Sequence, residues 1–591
     1  MKKVSPIIFA GYSGFCLLLV YLFYYLKRVD ISLSYTWQQT IPLSFSDSLK
    51  IPGGVSSLLA DLILESTTRP VWGSVLMALL IVLVFVSLKA VFRRESISPL
   101  FYPLLIASLI PFIALFAYYR LPFELLCSLV TALFLGMFLG YYKPRSLAES
   151  SLFNFSAAIV VYIIAGVPGL LVFLQLTIIR ALSTKRYPDL FGALPLLIIP
   201  LLYLPFNLAL GIKQVFFGPF LISRFDEIPM VFYFSLFSPL LLLLGFSIGN
   251  FVLSKFKINY SLLFSGSSLI IIMALMVYST LTSIKESEKY GYAIFEASFN
   301  GDWDKVLQLS EETSFINQVI QFEVNRALYG TGQLLDEMFS YPQQYAENGI
   351  FLEGISSSYV SVHTAAFYYD LGFANEERHW ATEAQMMLVR HPIVLKQLVM
   401  SYLAIGQEEA ALKYLRVLSG SGLYRKWCDH IKMMLGNNLL GDDPDIKRFR
   451  INNPARDFFA GTKDPHLKLM MFYSNNPGNN MAFEFLVAGY LLKHNIGGVV
   501  TLLPQFKKQG HETFPKAVEE ALMIYLSRTG SNASALSDFA ISKNTVEEFN
   551  DFSKLIAGVD SQAERMKRVS KYKHTYWYYI LFSSPYAKNN K

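Results

Sequence analysis

Unbroken hydrophobic runs of about twenty residues recur through the first 284 residues, and short amphipathic periods replace them afterwards. The first run, 7–26, follows Lys2 and Lys3 and matches a helix crossing a hydrocarbon core of roughly 30 Å. It begins like a signal peptide. It is too long for one, however, runs straight into Lys27 and Arg28 and lacks a small-x-small cleavage site, which predicts an uncleaved first span. Further spans are predicted at 71–92, 100–119, 122–142, 190–210, 229–253 and 260–284.

The segment from Leu152 to Leu182 is too long for one untilted span and short for two, since about 15 residues of helix reach only roughly 22 Å. Its centre reads Gly166-Val167-Pro168-Gly169, where Gly tolerates a sharp turn and Pro cannot continue a helix. Charge arbitrates as well. With a hairpin of 152–165 and 168–182, the chain has nine spans, and a cytoplasmic N-terminus puts twelve basic residues on inner segments against seven on outer ones. Without the hairpin the same loops hold nine inside and ten outside, against the positive-inside rule. Nine spans predict residues 1–284 as a transmembrane bundle in the bacterial inner (cytoplasmic) membrane, with everything after Ile284 periplasmic.

From Lys285 onward the pattern predicts amphipathic helices of about ten to sixteen residues, separated by Gly, Asn or Pro turns. Gly372 and Gly406, in YYDLGFANEE and SYLAIGQEEA, are 34 residues apart, and Tyr368 and Tyr402 keep the same spacing. This is the tetratricopeptide period. With the glycines in turns between paired helices, Ala381 and Leu415 become equivalent second-helix positions, and Asn300-Gly301-Asp302 and Gly330-Thr331-Gly332 mark earlier turns. One repeat cannot bury its own apolar face, so stacked neighbours are required. The predicted fold is all-α: a multi-span bundle followed, over 285–591, by a tetratricopeptide-like α-solenoid. At its end, Tyr576, Trp577, Tyr578 and Tyr579 follow a basic stretch, and the favoured reading is a terminal helix closing the stack over its rings rather than a seat on the membrane interface.

Composition sharpens the division. The chain is 53% hydrophobic and 16% charged, and its excess of cations is confined to the apolar half: 19 Lys+Arg against 10 Asp+Glu in 1–284, but 32 against 34 in 285–591. Cations distributed that way orient membrane loops and form no nucleic-acid surface. Cys16, Cys127 and Cys428 are scattered, and no His forms an HxxxH or HExxH pair, so neither a disulfide framework nor a metal site is expected, and no cofactor. Ionisable residues are nearly absent from the spans, with Glu124 and Asp189 at their ends, which speaks against an ion-coupled carrier.

Two outer loops are long enough for function. The first, 27–70, holds Asp30, Gln38, Gln39, Asp47, Asp61 and Glu65, with an amphipathic helix after Pro52-Gly53-Gly54 that suits the membrane interface; the second, 211–228, holds Lys213, Arg224, Asp226 and Glu227 among Phe216, Phe217 and Phe220. This arrangement resembles the membrane half of glycosyltransferases of the C-type fold. The resemblance implies a polyprenyl-phosphate sugar donor, Asp30 as base and Arg224 as the grip on lipid phosphate.

The segments NNPGNNMAFEFLVAGYLL, FYYDLGFANEERHW and LKYLRVLSGSGLYRKW resemble a bacterial family of uncharacterised integral membrane proteins, in which a many-span half precedes tetratricopeptide-like helices. That likeness covers nearly the whole chain and carries no catalytic residues. Two functions follow. One is an envelope scaffold anchored in the lipid bilayer, binding a protein or peptide partner on the concave face of its helical half. The other is lipid-linked sugar transfer, for which Asp30 and Arg224 are the candidate residues.

Overall fold

The computed structural model describes residues 14–15, 18, 21, 38–66, 70–92, 101–119, 122–139, 145–185, 198–203, 230–256, 262–283, 285–352, 357–454, 464–530 and 540–589. Among these the secondary structure is entirely helical. The chain divides into two compact units, Met1–Lys289 with Ser421–Leu423, and Tyr290–Gly420 with Tyr424–Lys591.

In the first unit, the helices Gly54–Ser66, Pro70–Val91, Phe123–Leu139 and Leu147–Thr184 pack around one apolar core that includes Ile81, Leu88, Leu129, Tyr162 and Phe173. Their outward positions are apolar too, as at Trp72, Leu79, Val86, Val160 and Leu182. A helix that is hydrophobic all round belongs in a protein core or in lipid. Among the described residues, Trp72–Val91 and Leu147–Ser183 are long and apolar enough to cross a membrane. Two bent pairs, Met230–Leu236 with Ser238–Val252 and Ile270–Ser283 with Glu286–Phe299, raise that number to four.

The long helix Leu147–Thr184 is broken at Gly166, whose φ of 64° and ψ of −156° are not helical. Along a straight helix Val161 and Gly169 would stand about 12 Å apart. Instead, a Cβ built on Gly169 would meet the Val161 side chain at 3.2 Å and its carbonyl oxygen at 3.5 Å, so the chain bends sharply at the break. The arms, 147–165 and 167–184, are about 28 and 27 Å long, longer than the sequence pattern predicts because Leu147–Ser151 and the residues after Leu182 remain helical. Pro168 falls in the first turn of the second arm, where its missing N–H is harmless.

Two other expected spans are also interrupted. Within 100–119 the chain forms Phe101–Ala107 and then Ile110–Leu115, with Pro111 starting the second helix. Within 229–253 it forms Met230–Leu236 and Ser238–Phe256, bent by 69°. At that bend the Gln175 side-chain amide donates to the freed Leu236 carbonyl at 2.9 Å. Gln175 thereby satisfies a backbone group that lipid could not.

The second unit is built of helical pairs. Ser358–Leu371 packs on Ala374–Met387, and Pro392–Ala404 packs on Glu408–Leu418. Gly372 (φ 80°) and Gly406 (φ 76°) stand in the two turns, in the left-handed region that glycine tolerates best. Ala381 and Leu415 are both buried against their partner helices. Gly301 and Gly332 take positive φ in the earlier turns. The terminal rings of Tyr576, Trp577, Tyr578 and Tyr579 are buried within the unit, and the Trp577 indole N–H donates to the Glu520 carbonyl at 2.8 Å, which ties this segment to the Lys516–Thr529 helix.

Candidate functional site

Asp30 and Arg224 lie outside the described residues, as do 190–197, 204–210 and the whole loop 211–228. The described part of the first loop, however, converges on one polar nest in the first unit. Its floor is the Gly54–Ser66 helix, which buries Gly54, Ser56, Ala60, Asp61 and Leu64 and turns Leu59 and Leu62 outward. Small and polar residues, with Leu64, therefore face the protein, and Leu59 and Leu62 face away.

Four cross-links define the nest. The Ser57 hydroxyl donates to the Glu124 carboxylate at 3.2 Å, and Ser56 and Thr131 share a hydrogen bond of 2.8 Å. The Thr40 hydroxyl donates to Asp61. The Gln38 side chain bridges Tyr119 and Phe123: its amide N–H donates to the Tyr119 carbonyl at 2.7 Å, and its oxygen accepts from the Phe123 N–H at 2.7 Å. Ser57 and Asp61 are one turn apart on their helix, so the two carboxylates share this patch, and Cys127 lies within electrostatic range of both. Glu124 also occupies the first turn of its helix, where the dipole favours an anion. That Asp61 and Glu124 both come within electrostatic range of Cys127 escapes sequence reasoning, because the two carboxylates are far apart in the chain. Its trace is the run Ser56-Ser57 and Asp61 inside an otherwise apolar helix.

The second unit carries a cleft of about 720 Å³ between the segments 339–344 and 573–585. Phe339, Tyr341, Tyr579 and Phe582 line it with rings, Pro342 and Pro585 flank it, and Gln344 and Lys573 stand exposed at its mouth. Phe339 packs against Tyr579 in a tilted pair with ring centroids 4.9 Å apart, and the Tyr341 hydroxyl donates to Glu311 at 3.0 Å, which fixes the ring as a wall. Tyr579–Ser583 winds as a π-helix, a rare geometry that gathers at functional sites. Gln343 holds the opposite wall by donating to the Asn325 side chain at 2.9 Å and the Met338 carbonyl at 2.9 Å.

A buried charge network lies elsewhere in the same unit. Arg326 donates to Glu323 at 2.8 Å and to Asp370 at 2.7 Å, and the His363 ring is 2.5 Å from Glu323. Burial pushes the Glu323 carboxyl up, but Arg326, His363 and the Ser298 hydroxyl outweigh it and hold the group at about 2. Every carboxylate oxygen is matched inside the unit, which is the signature of a structural network. Among the described residues no cluster of His, Cys, Asp and Glu has the arrangement of a metal site.

Compared with known proteins, the chain matches one family model over residues 3–583, described as a family of unknown function (DUF6057). No curated protein and no solved structure matches it.

Proposed function

The chain belongs to the DUF6057 family of unknown function, and from that premise we propose that it is a membrane-anchored binding protein of the bacterial cell envelope that receives a peptide segment of a protein partner in the aromatic cleft of its helical half. The observation that carries this reading is the cleft itself: rings and prolines for apolar side chains, with Gln344 and Lys573 at the mouth for a backbone amide and an acidic group. The helical pairs repeating at 34 residues support a tetratricopeptide-like stack, an architecture that binds through extended surfaces. In this reading the first half crosses the inner membrane nine times, the arms 147–165 and 167–184 each forming a span, and the helical half lies in the periplasm. The length of each arm, close to a hydrocarbon thickness of roughly 30 Å, supports that count.

The test is site-specific photocrosslinking in cells. A photoreactive residue at Gln344 should give one discrete protein adduct that disappears when Tyr341→Ala and Phe582→Ala are combined with it. Adducts that are absent, or that persist unchanged in that variant, remove the cleft as the binding site. A reporter fused after Ile284 should be active only outside the cytoplasm.

The polar nest supports a second reading, transfer of a sugar from a polyprenyl-phosphate donor. Two carboxylates held beside hydroxyls at the edge of an apolar bundle are costly unless functional, and Asp30 and Arg224 would complete such a site. Asp61→Asn and Glu124→Gln should each abolish an envelope glycan modification while the protein still accumulates. Normal glycan profiles in both variants eliminate this reading.

A further inference from the structure

The second unit carries a basic and apolar rim that the cleft does not use. Pro392–Ala404 and Glu408–Leu418 are joined by a three-residue turn and pack side by side, so they run antiparallel. The end of the second helix therefore returns to the start of the first. That topology gathers Val389, Arg416 and Val417 at one end of the pair, and the chain then enters Arg425–Gly436 with Arg425 and Lys426. Met386, preceding the same end, is 74% exposed and Val389 58% exposed, while Val417, Arg416, Arg425 and Lys426 are exposed as well.

Charge separates this rim from the rest of the unit. Residues 386–433 hold seven Lys+Arg against three Asp+Glu, whereas 285–591 as a whole has a slight acidic excess. Arg416, Arg425 and Lys426 make no ion pair with a described residue. Exposed Met and Val side chains interleaved with unpaired cations match a lipid surface: the apolar groups enter the headgroup boundary and the cations meet phosphate. On the membrane-anchored reading proposed above, on which this inference rests, the apolar first half tethers the unit to a bilayer. We propose that the rim formed by Met386, Val389, Arg416, Val417, Arg425 and Lys426 docks on the anionic surface of the bilayer.

The experiment uses the full chain in lipid nanodiscs, with an environment-sensitive dye on Val417→Cys and the unsubstituted chain as the labelling control. In discs containing phosphatidylglycerol, the dye should be quenched by nitroxide-bearing lipids, and added salt should relieve the quenching. Discs of phosphatidylcholine alone should give little. Replacing Arg416, Arg425 and Lys426 by Gln one at a time should weaken the association roughly fivefold per cation removed, and Arg416→Lys should restore it. Equal quenching in neutral and anionic discs, or no effect of the Gln variants, overturns the proposal. Protection of the dye only in native membranes, and never in pure-lipid discs, assigns the rim to a protein partner and equally overturns it.

Discussion

The Gly53 N–H donates to the Tyr162 and Ile163 carbonyls, at 3.0 and 3.1 Å, while its Cα rests on the backbone of Gly166. These are carbonyls at the end of the first arm of the bent 147–184 helix, so a residue from the first loop caps a helix break inside an apolar bundle. Both glycines take positive φ, 74° and 64°, and a Cβ on Gly53 would stand 3.2 Å from the Gly166 nitrogen. Gly53→Ala and Gly166→Ala should each destabilise the first unit by about 2 kcal/mol or more, from the left-handed backbone and the crowding together. The check is the thermal aggregation temperature of the detergent-solubilised protein, which should fall for both variants and remain unchanged for Gly436→Ala, where a Cβ meets open space.

Gln38 makes a comparable prediction by a different mechanism. Its side chain satisfies two backbone groups at once, the Tyr119 carbonyl and the Phe123 N–H, both on buried residues. Gln38→Leu fills the same space but strands both groups, at a cost of roughly 1–3 kcal/mol each. Gln38→Glu keeps the acceptor for Phe123 and loses the donor, so its melting temperature in detergent should fall between those of the wild type and the Leu variant. An unchanged melt for Gln38→Leu would show that water replaces the side chain there.

The buried network of the second unit should behave as one body. Arg326→Met leaves Glu323 and Asp370 without their shared cation and should cost about 3–5 kcal/mol, whereas adding Glu323→Gln should recover a large part of that loss. Denaturant unfolding of the single and double variants measures the coupling. Additive losses would mean that the two residues act independently, against the geometry.

What was legible in the sequence depended on how local the signal was. The turns at Gly372 and Gly406 announce themselves because a left-handed residue after a helix favours glycine, and the break at Gly166 is written in Gly-x-Pro-Gly. The bends before Pro111 and Pro239 carry the same kind of signal, yet averaging hydropathy over a whole span hides it, because proline is itself compatible with an apolar run. The contacts of Glu124 with Ser57, and of the 339–344 segment with Tyr579, join elements 67 and more than 200 residues apart, and no periodicity encodes such closure. The Gly54–Ser66 helix shows a different reason for the gap: the leucine pattern marks an amphipathic helix but not which leucines pack inward, and Leu64 is buried while Leu59 and Leu62 are exposed.

Glu377 predicts how the helical half responds to pH. The residue is fully buried in the Ala374–Met387 helix, and neither carboxyl oxygen has a hydrogen-bond partner among the described residues. Burial pushes it up to about 8, and the nearby Ser401 hydroxyl and Arg378 counter that only in part. Burial likewise raises Glu520 to about 8 and Glu484 to about 7. The folded state thus binds these protons more tightly than the unfolded chain does. Stability is full below the unfolded value of 4.5 and declines as pH rises through about 8, the opposite of the usual salt-bridged carboxylate. Glu377→Gln keeps the shape and removes the titration, so it should leave stability nearly unchanged near pH 5 and raise it by a few kcal/mol above pH 8, on the order of 3 to 5. Urea unfolding of the full chain in detergent, followed at both pH values, reads the difference directly. Because Glu520 and Glu484 titrate in the same direction, the variant should flatten the pH dependence without abolishing it; a variant whose stability falls with pH as steeply as the wild type would place the ionised Glu377 in contact with solvent.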